Sequence, residues 1–185
     1  MQLGKYSYIA ERQTFTMLSY GCNHKLIIGN FCSIARNFTV FLGGDHRINR
    51  ITTYPFGHIN QKIFNKFDGS GHPSSKGDVV IGNDVWVGAY STVMSGVHID
   101  DGAVIGANSV VTKNVPAYAV VAGNPAKIIS MRFSENVIQE LLKIKWWDWD
   151  DDMINEFTPL LCSENISEFI EKANIFLLKK KTTIL

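Results

Sequence analysis

The sequence predicts a mainly β fold, a parallel coil of six-residue repeats carrying one long excursion loop and followed by C-terminal α-helices. β-Branched aliphatic residues recur at every sixth position: Ile81, Val87, Val93, Ile99, Ile105 and Val111. Two positions before each stands a small or β-branched residue: Val79, Val85, Ser91, Val97, Ala103 and Ser109. Immediately after the aliphatic column, glycine recurs at Gly82, Gly88 and Gly106.

A six-residue unit is one short strand plus one turn. Its aliphatic side chain points inward, and the small or glycine positions let the backbone turn a corner. Three units close one triangular coil, and stacked coils bury a continuous ladder of Ile and Val. No single repeat covers its own apolar face, so the stack is cooperative. A helical reading fails because the period is not 3.6 and β-branched residues dominate.

The same register begins earlier and more weakly at Ile28, Ile34 and Val40, then vanishes until Val79. The interval holds Gly43-Gly44-Asp45-His46-Arg47, Tyr54-Pro55-Phe56-Gly57-His58 and Gly69-Ser70-Gly71-His72-Pro73. A stretch of this length without a pattern is functional or disordered, and its aromatic content favours an ordered loop over 43–78. After Val111 the repeat degrades through Val115-Pro116 and Gly123-Asn124-Pro125, a turn-rich exit. Ser134 then caps a helix over Glu135–Trp147, with Val137, Leu141, Leu142 and Ile144 on one side. Asp150 or Asp151 starts a second helix. Glu164–Leu178 gives a third, ending in Lys179-Lys180-Lys181, and Thr182–Leu185 is expected to fray. The expected organisation is a coil domain over 1–130 and a helical cap over 131–185 that closes an open end of the coil.

The 185 residues suffice for one domain with a small appendage, and 45% hydrophobic with 19% charged residues is an ordinary soluble balance. A net charge of +1 gives no basis for nucleic acid or an anionic membrane as partner. Cys22, Cys32 and Cys162 lack metal spacing and read as reduced thiols. No signal-peptide pattern follows Met1, and no stretch approaches the ~20 apolar residues of a membrane span. The expected location is the cytoplasm.

The runs Ile81-Gly82-Asn83-Asp84-Val85-Trp86-Val87-Gly88, Ile105-Gly106-Ala107-Asn108-Ser109-Val110-Val111-Thr112-Lys113 and Ala122-Gly123-Asn124-Pro125-Ala126-Lys127 resemble the hexapeptide-repeat acyltransferases. Asp45-His46, then Thr53-Tyr54-Pro55-Phe56, and Trp146-Trp147-Asp148-Trp149 narrow the resemblance to the xenobiotic acetyltransferase branch. That branch includes streptogramin and chloramphenicol acetyltransferases and surface-sugar O-acetyltransferases. The resemblance implies a left-handed parallel β-helix, a homotrimer, acetyl-coenzyme A as cosubstrate, no metal, and an active site between neighbouring subunits.

It also assigns roles. His46 matches the family's catalytic histidine, and imidazole, with an ordinary pKa of about 6.5, suits a base that takes a hydroxyl proton near neutral pH. Asp45, Tyr54 and Phe56 are the expected acceptor contacts. Asp45 and Asp78 read as carboxylates that orient His46 or the substrate, or else only cap a turn. Trp86 projects outward from the coil, towards a neighbouring subunit, the cofactor's thiol end, or both. Ala89 and Ala107 match positions that let the pantetheine arm approach the backbone. Thr112 and Lys113 match a turn near its far end, and Lys127 matches a basic residue near the phosphates. The lysines read equally as solvated surface. Ser130 stands where a second basic residue is common, with Arg132 as its substitute.

His58 and His72 read as surface residues within reach of substrate, and His98 as a solvated turn residue. No two histidines are closely spaced enough to suggest zinc. The leading expected reaction is acetylation of a sugar hydroxyl by direct transfer, with backbone amides holding the developing oxyanion. Acetylation of a streptogramin- or chloramphenicol-type antibiotic and a non-catalytic trimeric scaffold are the alternatives.

Overall fold

The computed structural model describes residues 1–183. The chain divides into two compact units, Met1–Arg132 and Phe133–Leu185.

In the first unit, strands of two to six residues stack in three sheets. One runs Gln2–Leu3, Leu26–Ile28, Val79–Ile81, His98–Ile99. The second runs Tyr8–Ile9, Ser33–Ile34, Trp86–Val87, Val104–Ile105, Ala119–Gly123 and ends on Ala126–Met131. The third runs Thr16–Leu18, Thr39–Phe41, Thr92–Val93, Val110–Val111. All pairings are parallel except the final hairpin, Ala119–Gly123 against Ala126–Met131. Apart from that hairpin, consecutive strands lie in different sheets, as a three-sided coil requires.

The register places the six-residue ladder in the core. Ile28, Ile81 and Ile99 stack in one sheet, Ile34, Val87, Ile105 and Val121 in the next, and Val40, Val93 and Val111 in the third. All are buried, as are Val79, Val85, Ser91, Val97, Ala103 and Ser109 two positions earlier. Each buried aliphatic side chain contributes roughly 1.5–3 kcal/mol, which makes this ladder the main source of stability. An additional coil, unmarked by the period, precedes Leu26. Leu3 pairs with Ile28 and Ile9 with Ile34, but a 3-10 turn at Arg12–Thr14 lengthens the next corner, so Met17 meets Val40 out of step with a strict count of six.

The corners correct one expectation. The residues that turn the chain are Asp84, Tyr90, Gly96, Gly102 and Asn108, whose φ angles lie between 53° and 74° and which themselves recur every sixth position. The glycine column lies two residues earlier and serves close stacking. A Cβ on Gly88 would meet the backbone nitrogen of Ala107 at 2.5 Å, and one on Gly29 the carbonyl oxygen of Gly82 at 2.5 Å. His98 is likewise a strand residue on the outer face, not a turn residue.

The second unit is helical. Helix α1 spans Glu135–Ile144 and stops short of the expected Trp147, because Lys145 turns left-handed (φ 46°) and its N–H bonds to Leu141. A 3-10 turn over Trp146–Asp148 follows. The buried stripe of α1 is Ile138, Leu141 and Ile144, one residue round from the expected face. Helix α2, Asp151–Leu161, starts where the Asp150 carboxylate accepts from the Met153 N–H at 2.9 Å, satisfying one of the free donors of a first turn. Helix α3, Ile166–Thr183, continues through the basic run into Thr182 and Thr183, where fraying was expected; Ile184 and Leu185 lie outside the described residues. Trp149, Phe157 and Phe169 pack as an aromatic cluster, with ring centroids 5.1 Å apart for Trp149–Phe157 and 6.1 Å for Phe157–Phe169. No helix among the described residues is long and apolar enough to cross a membrane.

Candidate active site

The excursion loop leaves the coil after Phe41. Gly43 fits against Cys22 and Ser75 where a Cβ would not, and Gly44 turns the chain with φ 97°. Asp45 then bridges antiparallel to Ser74, so both feet of the loop are tied together. His46 is the next residue, at the stem of the loop, where the chain is held most tightly.

The His46 ring is oriented by a backbone carbonyl. Its Nδ1 lies 2.6 Å from the Thr53 carbonyl oxygen. A carbonyl only accepts, so in the neutral ring Nδ1 carries the proton and Nε2 the lone pair. Neither expected carboxylate performs this task. Asp78 is engaged by the Lys25 N–H at 2.8 Å and by His24 at 3.3 Å, and the Lys25 bond holds its carboxyl below the usual range. The Asp45 carboxylate reaches towards Ser95 Oγ at 3.5 Å.

His46 lines two adjoining clefts. One, of about 590 Å³, is walled by Tyr20, Phe41, Gly44, His58, His72 and Met94. The other, of about 680 Å³, shares Asp45 and Met94 and adds Asn49, Lys76, Ser95 and Thr112. The His72 ring stands edge-on to His46 with centroids 4.5 Å apart, and 5.2 Å from His58. Partial burial, followed by the neighbouring His46, His58 and Arg50, holds the His72 imidazole below its ordinary range. Further out on the loop, Tyr54, Phe56, Phe64 and Phe67 line an apolar cleft of about 530 Å³ edged by Arg50 and Lys66.

The proposed cofactor residues lie apart. Trp86 is 58% exposed on the outer face of the second sheet. Ala89 and Ala107 occupy successive levels of the corner that follows it, linked by the Asn108 N–H donating to the Ala89 carbonyl at 2.9 Å. Lys127 is exposed on the last strand, and Lys113 on the corner after Val111. Thr112, of this group, lines a cleft with His46.

Residues 78–113 match the family model "Bacterial transferase hexapeptide (six repeats)". The chain is 44% identical over 153 residues to a "Probable macrolide acetyltransferase" of Lysinibacillus sphaericus, covering 80% of this chain and 83% of that one. It is 43% identical over 146 residues to a "Chloramphenicol acetyltransferase" of Morganella morganii, covering 77% and 68%. Among solved structures it resembles the polySia specific acetyltransferase NeuO at 26% identity and a TM-score of 0.52, over 92% of this chain and 62% of that one. The chain belongs to the hexapeptide-repeat xenobiotic acetyltransferases.

In this xenobiotic acetyltransferase the Arg132 guanidinium, the offered substitute for a basic residue at Ser130, bonds the Gly102 carbonyl at 2.7 Å and pairs with Asp84 at 3.3 Å. Asp84 is largely buried, which raises its carboxyl, and Arg132 opposes that rise. His58 and His72, read from sequence as surface residues within reach of substrate, line a cleft with His46. The ring contacts among the three were not legible in the sequence, because His58 and His72 are 12 and 26 positions away from His46 along an unpatterned loop. Among the described residues, no group of three or more His, Cys, Asp or Glu is arranged to hold a metal ion.

Proposed function

We propose that the enzyme transfers the acetyl group of acetyl-coenzyme A directly to an acceptor hydroxyl, with His46 as general base. The observation that carries this reading is the His46 Nδ1 bond to the Thr53 carbonyl, which leaves the Nε2 lone pair for the cleft. When bound, acetyl-coenzyme A supplies the activated thioester. His46 Nε2 takes the hydroxyl proton as the acceptor oxygen bonds to the acetyl carbon, and returns it to the sulfur as the carbon–sulfur bond breaks. The strip of small side chains at Ala89 and Ala107, beside the exposed indole of Trp86, suits a narrow amide-bearing arm.

Because that strip and His46 are on different corners of one chain, the reading takes the complete site from two subunits of a homotrimer of left-handed β-helices. One chain would contribute His46, its loop and Lys113, and the next Trp86, Ala89, Ala107 and Lys127. Lys113 and Lys127 would face the phosphates, where their removal weakens binding more at low salt.

For the acceptor, the order of the two expectations is reversed. Relatives at 43–44% identity are named for chloramphenicol and macrolide acetylation, and the aromatic cleft of Tyr54, Phe56, Phe64 and Phe67 suits an acceptor with an apolar body. A hydroxyl-bearing antibiotic is therefore the first reading. A sugar hydroxyl is the second, supported by the likeness to NeuO.

The test is thiol release from acetyl-coenzyme A against chloramphenicol, streptogramins, macrolides and sugars, with wild type and His46→Ala. The expected result is turnover on an antibiotic, reduced roughly 10²–10⁴-fold in the variant at unchanged melting temperature. A His46→Ala enzyme with wild-type turnover would remove the base assignment. Turnover confined to sugars would restore the second reading.

A further inference from the structure

We infer that His72 is a positioning residue for His46, an aromatic wall that fixes the plane of the catalytic ring. This rests on the reading of His46 as the base.

The backbone before His72 is held unusually well for an excursion loop. Three successive carbonyls accept from three different side chains: Gly69 from His58 Nε2 at 3.0 Å, Ser70 from Arg50 Nη2 at 2.8 Å, and Gly71 from Arg47 Nε at 2.9 Å. The His72 N–H itself bonds the Gly69 carbonyl at 3.1 Å. Two residues later, Ser74 pairs with Asp45, the residue before His46. All three side-chain donors come from the outgoing half of the loop, which begins with His46. The incoming half is thus laced to the outgoing half on both sides of His72.

The ring contact gives this lacing a purpose. The Cβ–Cγ bond and the Nδ1 bond to Thr53 together restrain the His46 imidazole against rotation. The His72 ring, edge-on at 4.5 Å and 76°, adds a packing contact against the same rotation. The direction of Nε2, and so the approach of the acceptor hydroxyl, is then set by the hydrogen bond and the packing contact together.

Charge favours the same role. His46 becomes cationic when it takes a proton, so a second cation against its ring would oppose the step. The groups that face His72 are His46, His58 and Arg50, with Arg47 on the adjacent carbonyl. Partial burial first, and then these neighbours, disfavour the charged form of His72, the form that would oppose a cation on His46.

The experiment compares His72→Ala, His72→Phe and His46→Ala by kcat, by KM for acetyl-coenzyme A, and by two-bond ¹H–¹⁵N histidine spectra. Loss of the wall in His72→Ala is expected to lower kcat by up to roughly 100-fold with KM unchanged. The His46 resonances should change from one ring tautomer to an exchanging pair. His72→Phe restores a neutral ring and is expected to recover at least about a tenfold part of that loss. A folded His72→Ala enzyme with wild-type kcat would overturn the inference. If His72→Ala does not fold, a folded His72→Phe enzyme with no activity would overturn it as well. His46→Ala separates the two readings: if it is inactive while His72→Ala works normally, only the positioning role fails. If it is active, the base assignment itself fails.

Discussion

Asp45 and Ser74 bond to one another in both directions, each backbone N–H reaching the other's carbonyl at 3.0 Å. The Ser74 hydroxyl adds a third bond to the Asp45 carbonyl at 2.9 Å. This clasp closes the stem of the excursion loop one residue before His46 and fixes where the proposed base leaves the coil. Ser74→Pro removes the backbone donor and the hydroxyl together. Turnover is expected to fall roughly tenfold or more while the unfolding of the coil moves little, a split seen by comparing kcat with calorimetric melting.

The inward ladder sets global stability. Ile105 is fully buried between Val87 and Val121. Ile105→Ala is expected to cost about 2–5 kcal/mol in urea unfolding, the range for deleting a buried branched side chain. Ile128→Ala, at a position 56% exposed on the last strand, is expected to cost much less.

Gly88→Ala tests why the glycine column exists. The added methyl meets the Ala107 backbone nitrogen at 2.5 Å, so one coil must shift against the next. Overpacking of this kind costs typically about 1–3 kcal/mol. Because Ala107 belongs to the proposed cofactor strip, coenzyme A binding by calorimetry should weaken as well.

Trp86→Ala is expected to leave the unfolding of the coil nearly unchanged, since the indole is 58% exposed on the single chain. It should instead weaken subunit association or coenzyme A binding, read by sedimentation and by titration. No effect on either would remove Trp86 from the proposed groove.

His72 gives a pH signature. In the folded chain its pKa lies below the ordinary histidine value of about 6.5, because burial, His46, His58 and Arg50 all disfavour its charged form. The folded chain therefore binds that proton more weakly than the unfolded chain. The contribution of the neutral ring is present above the unfolded value and is lost as pH falls through the lower, folded one. Histidine NMR should place the His72 midpoint below 6.5, and amide exchange over 69–74 should accelerate on that acid side before exchange in the coil.

The sequence made the coil readable because its side-chain period is local: each of Ile81, Val87, Val93, Ile99, Ile105 and Val111 reports a buried face without knowledge of its partners. The first coil escaped because the 3-10 turn at Arg12–Thr14 breaks the count before Met17. His46, Tyr54, Phe56 and Thr112 were nameable from sequence and line these clefts, but what holds His46 was not legible. Its orientation depends on a carbonyl at Thr53, which every residue type possesses, and its neighbours are brought in by loop closure between residues far apart in sequence. Asp45 and Asp78, at the two feet of the loop, were the natural candidates, yet both carboxylates point to other partners. Loop contacts carry no period, and so no sequence column announces them.

The excursion leaves and re-enters the stack at almost one point, for the Ser75 hydroxyl bonds the Leu42 carbonyl at 2.7 Å and Val79 takes its place beside Leu26 as if nothing intervened. The wall below is therefore indifferent to what hangs from it. Descendants of such a gene would be free to lengthen, shorten or exchange the hanging segment without refolding the rest, and new acceptors would be reached by editing one appendage while the scaffold stays unaltered.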